Sequence, residues 1–333
     1  MTHDRRADPG AVWGIIHGFA TYWLVATGVE LGVFAALAEG PRSAAHLAEM
    51  CEASADHLAV ALDGLAAVGL LDVVDEGYGL APTAAAFLVP GRPAYMGDLV
   101  IHSPGPWDNW QHLRETIQSG RPARPVDDCG PFYARLVGAT FPTQYQVARV
   151  VASLLAGPVG TILDLGAGAA PWSVALLETF PDATAVVDDL PEVVPLAERS
   201  LADHGVLDRA RLVAADYRTL PIEPSSFDVV VLGHVCRAEG AEGAQVLIER
   251  ASDALEPGGT VILADYFVDD WRAASQNARL LGVTMMANTE RGATFTYGQY
   301  QDWLAAASLE SIELVEPLPH QEVLLARKKD QRG

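Results

Sequence analysis

The chain has 333 residues, half of them apolar and 20% charged, with a formal net charge of −21. That length allows two domains, and the apolar share belongs to a core-forming globular chain. The acid surplus argues against a nucleic-acid partner and an anionic membrane surface, since both require clustered Lys and Arg.

Three cysteines, Cys51, Cys129 and Cys236, are too few and too scattered for a disulfide framework or a zinc site, so no metal is expected. The opening MTHDRRADPG has no apolar stretch behind its basic residues, and residues 1–10 read as a frayed tail rather than a secretory signal. No uninterrupted apolar run reaches the ~18 residues of a membrane span, so a cytoplasmic protein without a membrane partner is expected. Val12 to Leu37 reads as one helix, apolar on nearly every face and therefore expected to be buried all round. A second copy of the chain is the natural cover for it, so a homodimer through this region is expected.

Ser43 to Leu80 reads as a winged helix. Ser43 caps a first helix and Ser54 a second. LLDVVDEGYGLAP then forms a hairpin turning at Glu76-Gly77. The second helix, where DNA contacts would lie, carries Asp56, His57, Ala59, Asp63 and Ala66 and no Lys or Arg. A dimerisation scaffold is therefore preferred to a DNA reader, and residues 1–95 form this domain. Residues 96–150 read as a helical linker with aromatic punctuation, broken by a loop from Ser119 to Pro131. Trp107, Trp110, Phe132, Tyr133, Phe141 and Tyr145 are core by default. Of these, Trp107, Trp110, Phe141 and Tyr145 are the candidates for lining an apolar acceptor pocket.

Residues 151–333 alternate strand and helix. Strands are expected at Thr161–Leu165, Ala183–Val187, Ala210–Ala214, Phe227–Leu232 and Gly259–Tyr266, with a terminal pair at Ser311–Val315 and Glu322–Ala326. The pattern gives an α/β, Rossmann-like, doubly wound sheet with ligands at the carboxyl ends of its strands. Its most informative stretch is ILDLGAGAAPWSVALLETFPDATAVVDDLP, Ile162 to Pro191. Strand, glycine turn, helix, strand and acid are the layout of a nucleotide-binding βαβ unit. Gly166 and Gly168 allow the tight turn. Ala169-Ala170-Pro171 follows where a dinucleotide site would need a third glycine for pyrophosphate. An acid before the turn and another one strand later suit a nucleoside without phosphate. S-adenosylmethionine (SAM) is such a ligand.

The remaining strand ends supply Asp189-Leu190 for a ribose and a purine face, then Asp216-Tyr217 for an exocyclic amine and a ring. They also supply Gly233-His234-Val235-Cys236-Arg237 and Asp265. Taken together, LDLGAGAAPWSVALLETFP, VVDDLPEVV, AADY, DALEPGGTVILAD and FTYGQYQDWLAAASL resemble the class I SAM-dependent methyltransferases. The closer resemblance is to small-molecule O-methyltransferases with an N-terminal winged-helix dimerisation domain, over roughly residues 12–328. It implies SAM as cofactor, with contacts from Asp164, Gly166, Gly168, Asp189, Leu190, Asp216, Tyr217 and Gly233. It also implies a small acceptor, aromatic or polyketide-like, methylated on oxygen. Asn288 and Glu290, in MMANTERG, fall near the acceptor, and Met285 and Met286 are candidates either for shaping an adaptable pocket or for plain core packing.

One departure stands out. The family's general base is a His in a segment like "VLHDW" after the fourth strand, and ungapped counting from Phe227-Asp228 puts Arg237 there. Arginine does not deprotonate, so it cannot be that base. The family's Glu residues that orient the base are met here by Asp265 and Thr294. Three mechanisms stay open: His234 as the base, positioning alone, or Arg237 as a fork for an acidic substrate. The catalytic candidates are thus His234, Arg237 and Asp265. Methylation on carbon or nitrogen, and SAM binding without methyl transfer, remain alternatives. A winged-helix regulator that senses a nucleoside is the non-enzymatic one.

Overall fold

A computed structural model describes residues 8–75, 77–127, 129–268, 274–318 and 321–329. Residues 1–7 of the tail expected over residues 1–10, and Glu76 of the expected turn, lie outside them, whereas Pro9 and Gly10 of that tail already belong to the first helix. The chain divides into two compact units, Met1–Ser103 and Pro104–Gly333.

The first unit is helical with one small hairpin. It runs α1 (Pro9–Glu30), α2 (Val33–Ala36), α3 (Ala44–Met50), α4 (Ala55–Ala67), β1 (Leu71–Val74), β2 (Gly77–Leu80), α5 (Pro82–Phe87) and α6 (Gly97–His102). Ser43 caps α3 by accepting from the His46 amide. The single helix expected over Val12–Leu37 is broken: Gly32 sits at φ 74°, a left-handed geometry that ends α1 and starts α2. The expectation of burial all round also fails within one chain. Ile15 is 78% exposed and Trp13, Ile16 and Phe19 are exposed beside it, while only Ala26 and Gly28 of α1 are buried. Gly77 is not a turn residue, because it pairs with Val74 inside the hairpin. A side chain at Gly77 would collide with the Arg42 backbone carbonyl, since Arg42 and Tyr78 exchange backbone hydrogen bonds alongside.

The second unit opens with α7 (Trp107–Gln111), α8 (Leu113–Ser119) and the long α9 (Gly130–Leu154). There follow β3 (Thr161–Leu165), α10 (Pro171–Thr179), β4 (Thr184–Asp189), α11 (Val194–Asp203), β5 (Ala210–Ala214) and β6 (Phe227–Gly233). Last come α12 (Gly240–Ala254), β7 (Leu255–Ala264), α13 (Ala274–Asn288), α14 (Tyr297–Ala306), β8 (Leu309–Leu318) and β9 (Gln321–Lys328). The seven strands order as β5-β4-β3-β6-β7-β9-β8. β3 to β7 are parallel, β9 is antiparallel to β7, and β8 is antiparallel to β9. β7 starts at Leu255 rather than Gly259, because Leu255 already pairs with Phe227 across an irregularity in register.

Both faces of the sheet are buried, as parallel strands require. Ile162, Val229 and Val231 face Val147, Trp172 and Leu176, whereas Leu163, Leu165 and Val230 face Leu247, Ile248 and Tyr300. The chain winds from β3 to β5 in one direction and from β6 to β7 in the other. Strand order therefore reverses between β3 and β6, and a crevice opens at their carboxyl ends.

Candidate active site

The turn after β3 is built on two left-handed glycines, Gly166 at φ 63° and Gly168 at φ 61°. A Cβ on Gly166 would lie 2.6 Å from Val235 Cγ1 and 3.2 Å from the Tyr217 ring, so only glycine fits. Asp164 stands behind this turn and does not line the cavity. It is buried, and its Oδ2 accepts from Ser173 Oγ at 2.6 Å and from the Ser173 amide at 3.2 Å. It thereby ties the strand to the first turn of α10. Burial pushes its carboxyl up to about 7.

β4 ends in two acids with opposite environments, because successive strand side chains alternate faces. Asp189 lines the cavity, and its oxygens accept from the Gly168 and Leu190 amides, both at 2.7 Å. Asp188 is fully buried, and neither of its oxygens has a hydrogen-bond partner. Burial first, then the neighbouring Asp189, Asp216 and Asp164, push it up to about 7.

A carboxyl raised in the folded state contributes stability that is full below its unfolded value near 3.9 and lost as pH climbs to about 7. Asp188→Asn is therefore expected to stabilise the protein at pH 8 by about 2 kcal/mol and to do little at pH 4. Urea melts at the two pH values measure this. Equal stability of variant and wild type at pH 8 would mean the carboxylate is paired in solution.

β5 delivers Asp216 and Tyr217 to the cavity. Arg218 clasps Asp216 through Nε (2.9 and 3.0 Å) and Nη2 (2.8 Å), which holds this carboxyl below its usual range. The Tyr217 hydroxyl donates to Glu239 Oε1 at 2.6 Å; burial and that carboxylate raise the phenol far above its ordinary value.

The end of β6 holds the departure from the family pattern. His234 sits at φ 64°, its amide donating to the Ala264 carbonyl at 2.8 Å. Arg237 Nη1 lies 2.6 Å from His234 Nδ1 and 2.9 Å from Asp265 Oδ1. Asp265 is buried and also accepts from the Tyr266 amide and the Tyr300 hydroxyl, both at 2.8 Å. Arg237 lies against the Tyr266 ring, 5.4 Å from its centroid. A guanidinium only donates, so His234 Nδ1 is the acceptor and the ring proton belongs on Nε2. Burial and then Arg237 lower the imidazole further, so it stays neutral. His234 Nε2 is buried and has no partner.

These strand ends share one cavity, whose empty space of about 1130 Å³ includes the solvent at its mouth. Gly166, Gly168, Asp189, Leu190, Asp216, Tyr217, Gly233, His234 and Arg237 all line it. Asp265 acts from behind Arg237. The helical aromatics fall elsewhere. α9 presents Tyr133, Leu136, Val137, Thr140 and Gln144 to the cavity, a spacing of three or four residues that makes one helix face. Phe141 and Tyr145 lie one residue further round the helix and pack on the sheet core, with Tyr145 donating to Glu178 at 2.6 Å.

Trp107, Trp110, Met285 and Asn288 do not line the cavity either. Trp110 donates to the Pro104 carbonyl at 2.7 Å. Asn288 is a fastener: its Nδ2 donates to the Pro104 and Thr284 carbonyls and its Oδ1 accepts from Asn109. Met285 packs beside Gly292. Trp172, Glu239, Tyr266 and Arg291 are lining residues that the strand-end reading passed over. Trp172 was visible as the aromatic next to Pro171 in the glycine turn. The other three depend on tertiary placement. Among the described residues no group of three His, Cys, Asp or Glu could hold a metal.

The family model of the O-methyltransferase domain matches residues 110–309. The chain belongs to the O-methyltransferase family. The family's dimerisation domain matches residues 13–90. A 3-hydroxy-5-methyl-1-naphthoate 3-O-methyltransferase of Streptomyces sahachiroi is 30% identical over 303 residues, 86% of this chain and 85% of that one. Human N-acetylserotonin methyltransferase, solved with SAM, shares the fold at TM-score 0.85 and 20% identity, covering 98% of this chain and all of that one. An O-methyltransferase family protein of Burkholderia thailandensis does so at TM-score 0.81 and 20% identity, covering 98% of this chain and all of that one.

This family member is a SAM-dependent methyltransferase. The residues present fit that cofactor. Asp189 keeps lone pairs for a ribose diol, Gly166 and Gly168 leave room for close backbone approach, and Trp172, which lines the cavity, has an indole N–H without a partner. Bound there, SAM supplies an electrophilic methyl group on a sulfonium.

Proposed function

We propose that the acceptor is a small aromatic or polyketide-like molecule methylated on a hydroxyl oxygen, and that positioning rather than side-chain deprotonation carries the step. The observation behind this is the Arg237–His234 contact at 2.6 Å, which occupies the lone pair a histidine base would use. The naphthoate specificity of the Streptomyces relative supports an aromatic acceptor. Asp189, Leu190 and Tyr217 hold the adenosine part, while Tyr133, Leu136, Val137 and Tyr266 offer apolar walls to the acceptor. Such walls exclude water and hold the nucleophile near the methyl group, which is where the rate gain of an oriented transfer comes from. The test is to incubate purified protein with SAM and a set of hydroxylated naphthalenes and anthracenes. S-adenosylhomocysteine (SAH) and a singly methylated product are expected by mass spectrometry. Binding of SAM with no SAH formed from any acceptor would favour the non-transferring alternative.

We also infer a homodimer held by α1, in an acidic, cytoplasmic protein that binds neither nucleic acid nor membrane. The dimerisation-domain match includes this helix, and Trp13, Ile15, Ile16 and Phe19 leave it too apolar to stay in water alone. By length and composition α1 could also cross a bilayer. The net charge of −21 argues against anchoring at an anionic surface. Ile15→Glu is expected to convert the dimer to monomer in sedimentation velocity. A wild-type monomer, or recovery of the wild type in a membrane fraction, would reject the assignment.

A further inference from the structure

The cavity end formed by β6 and β7 has hydrogen-bond donors and lacks a free base. Arg237 has no acceptor atom. Asp265 is out of play behind it, taking one donor from Arg237, one from Tyr266 and one from Tyr300. His234 spends its Nδ1 lone pair on Arg237 and is left with a buried Nε2–H that nothing accepts. The carboxylates lining the rest of the cavity are each engaged: Asp189 by two amides, Asp216 by Arg218, Glu239 by Tyr217, and Asp127 by the Glu290 amide.

A buried donor without a partner is costly, so this one calls for an acceptor atom on the ligand. A neutral hydroxyl placed here could accept from His234 but would find no group to take its own proton. An oxyanion satisfies both His234 and the guanidinium. An amine acceptor is disfavoured because its single lone pair is spent on the new C–N bond, which leaves the two donors facing N–H groups with nothing to accept them.

Building on the methyl-transfer reading above, we propose that His234 and Arg237 form an oxyanion-recognition pair. The acceptor is then an acidic hydroxyl, of the hydroxyquinone or vinylogous-acid class, that enters as its conjugate base. The oxyanion's lone pair forms the new O–CH₃ bond while the C–S bond breaks and its electrons stay on sulfur. Anion and sulfonium both become neutral, so no proton has to leave and no base is required. Arg237 is balanced by Asp265, so the pair acts through directed N–H groups rather than a bare charge. His234 touches the reacting oxygen in this scheme, and Asp265 is a positioning residue that holds Arg237.

The test reads binding rather than turnover. Full-length protein saturated with SAH is titrated with 2-hydroxy-1,4-naphthoquinone, an acidic hydroxyl, and with 2-naphthol, a weak one. The visible band of the hydroxyquinone anion reports its ionisation. At pH 7, where the protein is folded, the hydroxyquinone is expected to bind as the anion and at least about tenfold more tightly than 2-naphthol. His234→Phe, which keeps the ring volume and leaves Arg237 on Asp265, is expected to lose about tenfold of that affinity while still binding SAH. In ¹⁵N spectra of histidine-labelled protein, His234 is expected to stay the neutral Nε2–H tautomer from about pH 5.5 to 8.5.

Several results would overturn the proposal. These are tighter binding of 2-naphthol, a bound neutral hydroxyquinone, no hydroxyquinone binding by protein that binds SAH, or a His234 that titrates near 6.5. Failure of the protein to bind SAH would instead remove the methyl-transfer reading beneath it.

Discussion

Asp189→Ala is expected to weaken SAM and SAH binding by about 100-fold or more, a loss near 3 kcal/mol. Asp189 does two jobs at once. Its oxygens accept from the Gly168 and Leu190 amides at 2.7 Å, so it holds the glycine turn against the end of β4. Its remaining lone pairs face the cavity, where a ribose diol would donate. Hydrogen bonds to a charged group contribute about 1.5–3 kcal/mol each, and alanine removes those to the ligand while orphaning two amides. Asp189→Asn keeps an acceptor for one amide and is expected to fall between the two. Calorimetric titration with SAH measures both variants. An unchanged affinity for Asp189→Ala would reject the ribose assignment and move the nucleoside elsewhere in the cavity.

Asp265→Asn is expected to destabilise the second unit by about 3–5 kcal/mol, because it leaves Arg237 as an uncompensated charge in a buried site. Asp265 has only 1% of its side chain exposed and pairs with Arg237 at 2.9 Å. In a unit of this size that loss corresponds to a fall of about 10 °C in melting temperature. The pH dependence has a definite sign. Burial opposes ionisation of Asp265, yet the Arg237 guanidinium outweighs it and holds the carboxyl well below the usual range. Its stability contribution is therefore present above its unfolded value near 3.9 and lost as pH falls below that toward its folded value. The wild type is expected to lose stability steeply below about pH 4, with a shallower loss in the variant. Scanning calorimetry between pH 3 and 8 checks both statements. A difference under about 1 kcal/mol at pH 7 would mean that water reaches the Arg237–Asp265 pair.

The clasp of His234, Arg237 and Asp265 also shows where sequence reasoning reached its limit. His234 and Arg237 are three residues apart, and local geometry already suggested a shared cleft. That Arg237 donates to His234 Nδ1, and so turns a potential base into a fixed donor, depends on Asp265 arriving from the next strand, 28 residues away. Phe141 and Tyr145 illustrate the same limit on a helix. Their aromatic character marked them as pocket residues, but the phase of α9 turns Val137, Thr140 and Gln144 to the cavity instead. A rotation of one residue, about 100°, decides between core and pocket, and composition carries no such information.

By itself the amino-acid sequence determined the alternation of strand and helix, the glycine turn, the acid at the end of β4 and the apolar first helix. These are written in local periodicity and in backbone conformations that only particular residues adopt. The tertiary structure alone decided that Asp164 and Asn288 are fasteners, that Asp188 is a buried acid without a partner, and that β7 begins at Leu255. It likewise decided that α1 breaks at Gly32 and stays exposed within one chain. The reason is physical: local propensity sets what each segment becomes, whereas the partners of a buried polar group are set by the order and register of strands distant in sequence.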